Sequence, residues 1–387
     1  MTTNLNQKPP AFIPIDLRLF IPDYSSELTD LVMHLEYLRK LRVIGTTPKQ
    51  TFFQIKKIFH TLESIGSARI EGNRTTVIEY IDRKLENDTK SSDALREIEN
   101  MEAALNFIDE NVEHRAIDRA FISELHKMVV DRLREEGSKS PGDYRTCPVK
   151  IRSSALVPPL YVSIPSYMEE LIHFIGKDDP PKYDLLKIAQ AHHRFVWIHP
   201  FDNGNGRVVR LLTYAMMVKF GFKIHLARVL NPAAIFCYDR EKYYAALARA
   251  DRGDDEGYSQ WAMYMLSGLK RELEKTDKLA DYDYLKEEIL KPTIRFSLEK
   301  NVINNTEAKI LFLAVEKREI ANADIRSILP NKHISNISHI IRKLIEKKYL
   351  MSTETSRRRY SINFRENKLI RGIIVSLDKA GFLPGNP

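Results

Sequence analysis

Residues 199–210 read HPFDNGNGRVVR, and they join two apolar runs at helical spacing, YDLLKIAQAHHRFVWI before and VVRLLTYAMMVKFG after. No other feature constrains the fold as strongly. Pro200 stops the first helix. Gly204 and Gly206 flank Asn205 and allow a tight, irregular turn. A helix restarts at Arg207. An irregular loop is therefore held between two helices whose broad apolar faces demand burial.

Most of the remaining chain also has helical periodicity. Helices are expected over 25–45, 47–73, 91–111, 116–137, 164–176 and 239–275, with a connecting helix over 276–292. One segment, GDYRTCPVKIRSSALVPPLYVSIP at 142–165, carries β-formers around RSSA and then Pro158-Pro159. It reads as a short β-hairpin or extended flap. Three shorter helices and a pair of strands in MSTETSRRRYSINF are expected after residue 300.

Charge divides the chain unevenly. The net charge is +8, and residues 301–387 hold 16 Lys+Arg against 8 Asp+Glu, so residues 1–300 balance to zero. A basic C-terminal module facing a polyanion behind a neutral body fits that pattern. No apolar run approaches membrane-span length. The first 17 residues lack the basic and apolar regions of a secretory signal and read as a loose arm. Cys147 and Cys237 have no metal or redox spacing, which agrees with a cytoplasmic setting.

The loop chemistry points to phosphate. Backbone N–H groups of Gly204, Asn205 and Gly206 can form an anion nest, and the following helix adds its N-terminal dipole. Arg207 and Arg210, three apart, fall on one helix face. His199, just ahead of the nest, can take a proton from a hydroxyl attacking phosphorus. No HExxH or cysteine pair supports zinc at His192, His193 and His199, and no GxxxxGK[ST] supports a P-loop. Tyr243 and Tyr244 fit a base pocket or the core equally well.

HPFDNGNGRVVR resembles the signature of the Fic family, His-x-Phe-x-Asp/Glu-Gly-Asn-Gly-Arg-x-x-Arg, and matches every defined position but one. AHHRFVWIHPF and PGDYR resemble the family's leading helix and the start of its target-binding flap, so the likeness covers roughly residues 50–270. The resemblance implies a mainly α fold with a short β-hairpin flap. It also implies AMP transfer from ATP to a Tyr, Ser or Thr hydroxyl of a target protein or of the chain itself. His199 then resembles the base. Gly204, Asn205 and Gly206 resemble the α-phosphate holders, and Arg207 and Arg210 the contacts to the outer phosphates. The flap, with Arg145, Lys150, Ile151 and Tyr161, would hold the target. The mismatch is Asn203, where the family has an acidic ligand for Mg²⁺ or Mn²⁺; a neutral amide there should weaken metal binding.

SARIEGN at 67–73 resembles the family's inhibitory motif. Ser67 and Glu71 share a helix face, and the resemblance pairs Glu71 with Arg210, blocking productive ATP binding. In some members the same glutamate helps water remove AMP. The segment 301–364 resembles a winged helix-turn-helix. Asn336, Ser338, His339 and Arg342 would lie on its recognition helix and Arg357, Arg358 and Arg359 on its wing, facing DNA. Such modules also bind proteins or dimerise, and both readings stand. A homodimer is implied by family resemblance only.

The expected organisation is an N-terminal helical region over 1–110 with the inhibitory motif, a Fic core over 111–270, a linker helix over 271–300 and a winged-helix domain over 301–387. The alternatives are a non-enzymatic, nucleotide-sensing DNA-binding regulator and a transferase for another phosphate-bearing group.

Overall fold

A computed structural model describes residues 12–40, 45–86, 92–151, 154–222, 232–354, 356–365 and 367–383. Most of the expected N-terminal arm, residues 1–11, lies outside them. The first helices are α1 (Glu27–Lys40), α2 (Lys49–Ile70), α3 (Val77–Glu86), α4 (Asp93–Asn111), α5 (Arg119–Val130) and α6 (Ile164–Gly176). Then come α7 (Asp184–Ile198), α8 (Asn205–Lys219), α9 (Pro232–Cys237), α10 (Arg240–Ala250) and α11 (Asp255–Asp277). The expected linker helix is broken into a short turn α12 (Tyr282–Tyr284), a π turn over Leu285–Leu290 and α13 (Lys291–Glu299). The chain ends with α14 (Asn305–Lys317), α15 (Asn322–Ile328), α16 (Ile334–Glu346), β1 (Leu350–Ser352), β2 (Tyr360–Ile362) and α17 (Ile370–Lys379). The fold is mainly helical, as the periodicity predicts. Among the described residues no helix is long and apolar enough to cross a membrane.

Local chemistry sets several boundaries. Ser92, Asp118 and Asp239 accept the amides of Leu95, Phe121 and Lys242 and so start α4, α5 and α10. Helix α5 stops at Val130, well short of the expected Gly137. Asn100 of α4 takes the Asp131 carbonyl at 2.9 Å, and Arg207 of α8 takes the Glu136 carbonyl at 2.8 Å. Those bonds hold 131–136 out of the helix.

Of the two expectations for 142–165, a short hairpin or an extended flap, the hairpin finds no strand among the described residues, and Arg152 and Ser153 lie outside them. Prolines at 148, 158 and 159 supply no ladder donors. Arg145 instead donates to the carbonyls of Cys147 and Pro159 and gathers the segment into a compact loop. The two strands do form where MSTETSRRRYSINF predicts them. Leu350 pairs with Ile362 and Ser352 with Tyr360, antiparallel, and Tyr360 also bridges to Ile320.

Two main cores form. One joins α1, α4–α8, α10 and α11 around residues such as Leu105, Phe121, Phe195, Leu212 and Trp261. The other joins the C-terminal elements through Ile294, Leu311, Ile341, Phe364 and Leu377, and it includes Phe52, Ile55 and Phe59 of α2. Helix α2 has 22 residues, about 33 Å at ~1.5 Å per residue, and its far end reaches the first core at Ile70. Its side chains also bind the C-terminal strand backbone. Gln54 donates to the Ile362 carbonyl at 3.0 Å and accepts the Phe364 amide at 2.9 Å. Gln50 donates to the Ser352 carbonyl at 3.2 Å, in a more exposed position.

Gln54→Ala should therefore leave two backbone groups unpaired and cost about 1–3 kcal/mol, lowering the thermal midpoint by a few degrees. Gln50→Ala should change stability by no more than about 0.5 kcal/mol. Equal midpoints for both variants by circular dichroism would contradict the joint drawn here.

Candidate active site

The loop between α7 and α8 begins with strain. His199 caps α7, still donating its amide to the Phe195 carbonyl at 3.0 Å, yet sits at φ 51°, ψ 61°. That left-handed conformation is costly for a side chain of this size. Its Nδ1 lies 3.3 Å from the Val196 carbonyl. The proton belongs on Nδ1 to make that bond, which leaves Nε2 bare. Burial pushes the His199 pKa down to about 4, so the ring is neutral at pH 7.

Side chains from three places satisfy the loop. Asn205 accepts the Phe201 amide and donates to the Phe201 carbonyl, both at 2.9 Å. Its side chain thus closes the loop. Gly204 adopts φ 76°, and a Cβ there would lie 3.1 Å from Val130 Cγ1. Arg145 is buried beneath the loop, with Nε on the His199 carbonyl at 2.8 Å and its own amide on the Pro200 carbonyl at 2.9 Å. His126 of α5 donates from Nε2 to the Asn203 carbonyl at 3.1 Å and stacks on Phe201 with ring centroids 3.8 Å apart.

The two arginines part company. Arg210 is buried, its Nε on Ser67 Oγ at 2.7 Å and its Nη2 on Glu71 Oε1 at 2.7 Å and the Ser67 carbonyl at 3.0 Å. Burial alone would raise the Glu71 carboxyl, but the charge and hydrogen bond of Arg210, with the charges of Arg207 and Arg240, together hold the group below the usual glutamate value. A Cβ on Gly206 would fall 2.2 Å from Glu71 Oε1, so a larger residue there would displace this carboxylate from its present position. Arg207 turns away instead, to Glu97 at 3.2 Å and the Val129 and Glu136 carbonyls. The spacing of three put both arginines on one face; buried acceptors draw the long side chains apart.

A cleft of about 420 Å³ opens over His199, Asn203–Gly206, Arg210 and Glu71, with Arg240, Tyr243 and Tyr244 of α10 on its other side. Lys150 and Ile151 line it as well, whereas Tyr161 does not. Tyr243 is fixed by a 2.9 Å hydrogen bond between its hydroxyl and His192 Nε2. The expected metal ligand fits poorly. Asn203 Oδ1 already accepts the Gly204 amide at 2.7 Å. The neighbouring Asp202 accepts from Ser138 Oγ at 2.6 Å and the Lys139 amide at 2.9 Å. Among the described residues no group of three or more His, Cys, Asp or Glu side chains could hold a metal ion. The described residues thus offer no anionic cage of their own for a divalent metal.

Far from the cleft, α16 buries Ile337, Ile341 and Leu344 and exposes Asn336, Ser338, His339 and Arg342. Arg357, Arg358 and Arg359 are exposed between β1 and β2, with Arg359 3.6 Å from Glu319. Sequence reasoning missed His126, Arg240 and the clamping by Arg145. The available signal for His126 was a polar ring set among Phe121, Ile122, Leu125 and Val129 on the apolar face of α5.

The cleft brings together a neutral imidazole, the free amides of a helix N-terminus and a buried cation. That combination can hold an extended phosphate chain and accept a proton beside it. Residues 116–217 match the family model described as Fic/DOC. The protein adenylyltransferase fic-1 of Caenorhabditis elegans is 28% identical over 235 residues, covering 59% of this chain and 42% of that protein. The protein adenylyltransferase Fic of Drosophila virilis is 30% identical over 212 residues, covering 53% and 39%. The chain thus spans about two fifths of the length of these curated relatives. Among solved structures, a Fic family protein from Desulfovibrio desulfuricans G20 superposes with TM-score 0.51 at 17% identity, over 92% of this chain and 98% of that one. A Fic domain-containing signaling protein from Bacteroides thetaiotaomicron gives TM-score 0.51 at 19% identity, over 66% and 98%. At those identities the likeness speaks for the fold alone. The motif, the family model over residues 116–217 and the fold thus all point the same way, to a Fic/DOC-like segment in this chain.

Proposed function

We propose that this chain is a protein adenylyltransferase that moves AMP from ATP to a Tyr, Ser or Thr hydroxyl of a target protein or of itself, restrained by Glu71. The carrying observation is that His199, with Nε2 unbonded, shares one cleft with the N-terminus of α8 and with Arg210. In this reaction the target oxygen bonds to the α-phosphorus as the bond from that phosphorus to the β-phosphate bridge breaks. Pyrophosphate leaves, and the hydroxyl proton passes to His199 Nε2. The amides of Asn205 and Gly206 face the α-phosphate, the Gly204 amide being already taken by Asn203 Oδ1, Lys150 and Ile151 take the target chain, and Arg210 takes an outer phosphate once released. The relatives' names, which speak of protein adenylyltransferases, support this reading.

The restraint follows from the pairing of Arg210. A guanidinium bonded to Ser67 and Glu71 cannot also hold a phosphate fork. The same glutamate beside the loop would also suit activation of a water that removes AMP. At the other end of the chain, the helices, paired strands and basic tip of 305–362 suit a winged helix that meets DNA backbone through Arg357, Arg358 and Arg359.

ATP labelled at the α-phosphate tests the transferase. Glu71→Gly should raise labelling of protein by on the order of tenfold or more, the equivalent of about 1.4 kcal/mol of pairing removed. Adding His199→Ala should lower that by about 10²–10⁴-fold. Because the His199 pKa is lowered to about 4, the ring stays unprotonated above that pH, so the rate of Glu71→Gly should not fall near pH 6.5 through this group. No label in any variant that still binds ATP would favour a nucleotide-sensing regulator instead. Replacing the three arginines with glutamine should weaken binding to duplex DNA and flatten its salt dependence. If neither changes, the C-terminal segment is a protein-binding module.

A further inference from the structure

We infer that His126 is a positioning residue for the phosphate-binding loop: it fixes the Asn203 peptide so that the amides after it, and not a carbonyl, face the cleft. The inference rests on the nucleotide reading above and adds a residue that lies 73 positions before the motif's own histidine.

Three contacts define what the ring does. Nε2 donates to the Asn203 carbonyl at 3.1 Å, Nδ1 accepts the Gly142 amide at 2.8 Å, and the ring lies on Phe201 at an interplanar angle of 9°. Donation at one nitrogen and acceptance at the other require a neutral ring with its proton on Nε2. Burial agrees, pushing its pKa down to about 4. The groups facing the ring are Asp202 and Asp143, whose charges favour protonation, and Arg207, whose charge opposes it.

The partners are built to receive it. Gly142 sits at φ 87°, where a Cβ would strike Lys127 Cε at 2.3 Å, and Ser123 holds its carbonyl at 2.7 Å. Ser123 and His126, one turn apart on α5, thus grip both polar groups of Gly142. The same ring then reaches the Asn203 carbonyl. A helix N-terminus binds anions because its first amides have no partner within the helix. A carbonyl turned into that space would repel phosphate. Asn203 immediately precedes Gly204, the flexible residue at φ 76° through which its peptide could rotate. His126 limits that freedom by holding the oxygen, while Asn203 Oδ1 holds the Gly204 amide at the other end of the same peptide at 2.7 Å.

The test uses the full chain carrying Glu71→Gly, so that the restraint on Arg210 is absent from every sample. His126→Phe keeps the stacked ring and removes both hydrogen bonds. His126→Gln keeps a donor and an acceptor. Binding of ATP and of inorganic pyrophosphate is measured by calorimetry, beside thermal midpoints. His126→Phe should weaken both ligands about tenfold or more with a folded circular dichroism spectrum, and His126→Gln should recover part of the loss. Imidazole ¹⁵N spectra of the unliganded protein should show His126 neutral and protonated on Nε2 from pH 5 to 8. Unchanged affinity in a folded His126→Phe variant, or the Nδ1 tautomer, would overturn the assignment. No ligand binding even with His126 intact would overturn the nucleotide reading, while the tautomer spectrum still decides the ring's role in the loop.

Discussion

The loop from His199 to Gly206 must leave helical geometry while packed between helices, and every polar backbone group it buries needs a partner. That requirement organises its surroundings. Asn205 closes the turn on Phe201 from within the motif. Arg145 reaches under it from the 142–165 segment to the His199 carbonyl, and His126 reaches across from α5 to Asn203. With its carbonyls held inward, the loop can present amides outward, and His199 can sit at a strained backbone position with its Nε2 unused. The cleft is a consequence of how the loop is satisfied.

Arg210 shows the same economy in charge. A buried guanidinium needs acceptors, and α2 supplies Ser67 and Glu71. A phosphate chain would offer equivalent oxygens, so under the proposed function a ligand and Glu71 would compete for one cation. Gly206 leaves room for the carboxylate where it sits, since a Cβ there would fall 2.2 Å from Glu71 Oε1. The near end of α2 is bound to the C-terminal strands through Gln50 and Gln54. One continuous helix therefore touches both the basic C-terminal module and the cation at the cleft.

Local signals made much of this legible in the sequence. Glycine, asparagine and proline announced the turn, and the spacing of four from Ser67 to Glu71 placed both on the face that meets Arg210. Helix α6 lies over the residues its pattern marks, and the paired strands fall in MSTETSRRRYSINF apart from Leu350, one residue ahead of it. The gaps were of a different kind. Arg207 shares the periodicity of Arg210, but Glu97 from a distant helix decides where its charge goes. The β-formers of 142–165 read as a hairpin, yet Arg145 gathers that segment into a loop through carbonyls no local pattern reveals. His126 meets Asn203 only because α5 packs beside α8. Helices α3 and α17 escaped notice as short segments; Asp82 of one and Arg371 of the other meet at 2.5 Å across the fold.

The position of the α-phosphate is the most direct test of the cleft. A crystal structure of the Glu71→Gly chain with a non-hydrolysable ATP analogue should show that phosphate within hydrogen-bond reach of the Asn205 and Gly206 amides. His199 Nε2 should face the side where a hydroxyl would approach, and Arg210 should sit on an outer phosphate. A nucleotide bound elsewhere, or with its phosphates pointing away from the N-terminus of α8, would contradict the arrangement.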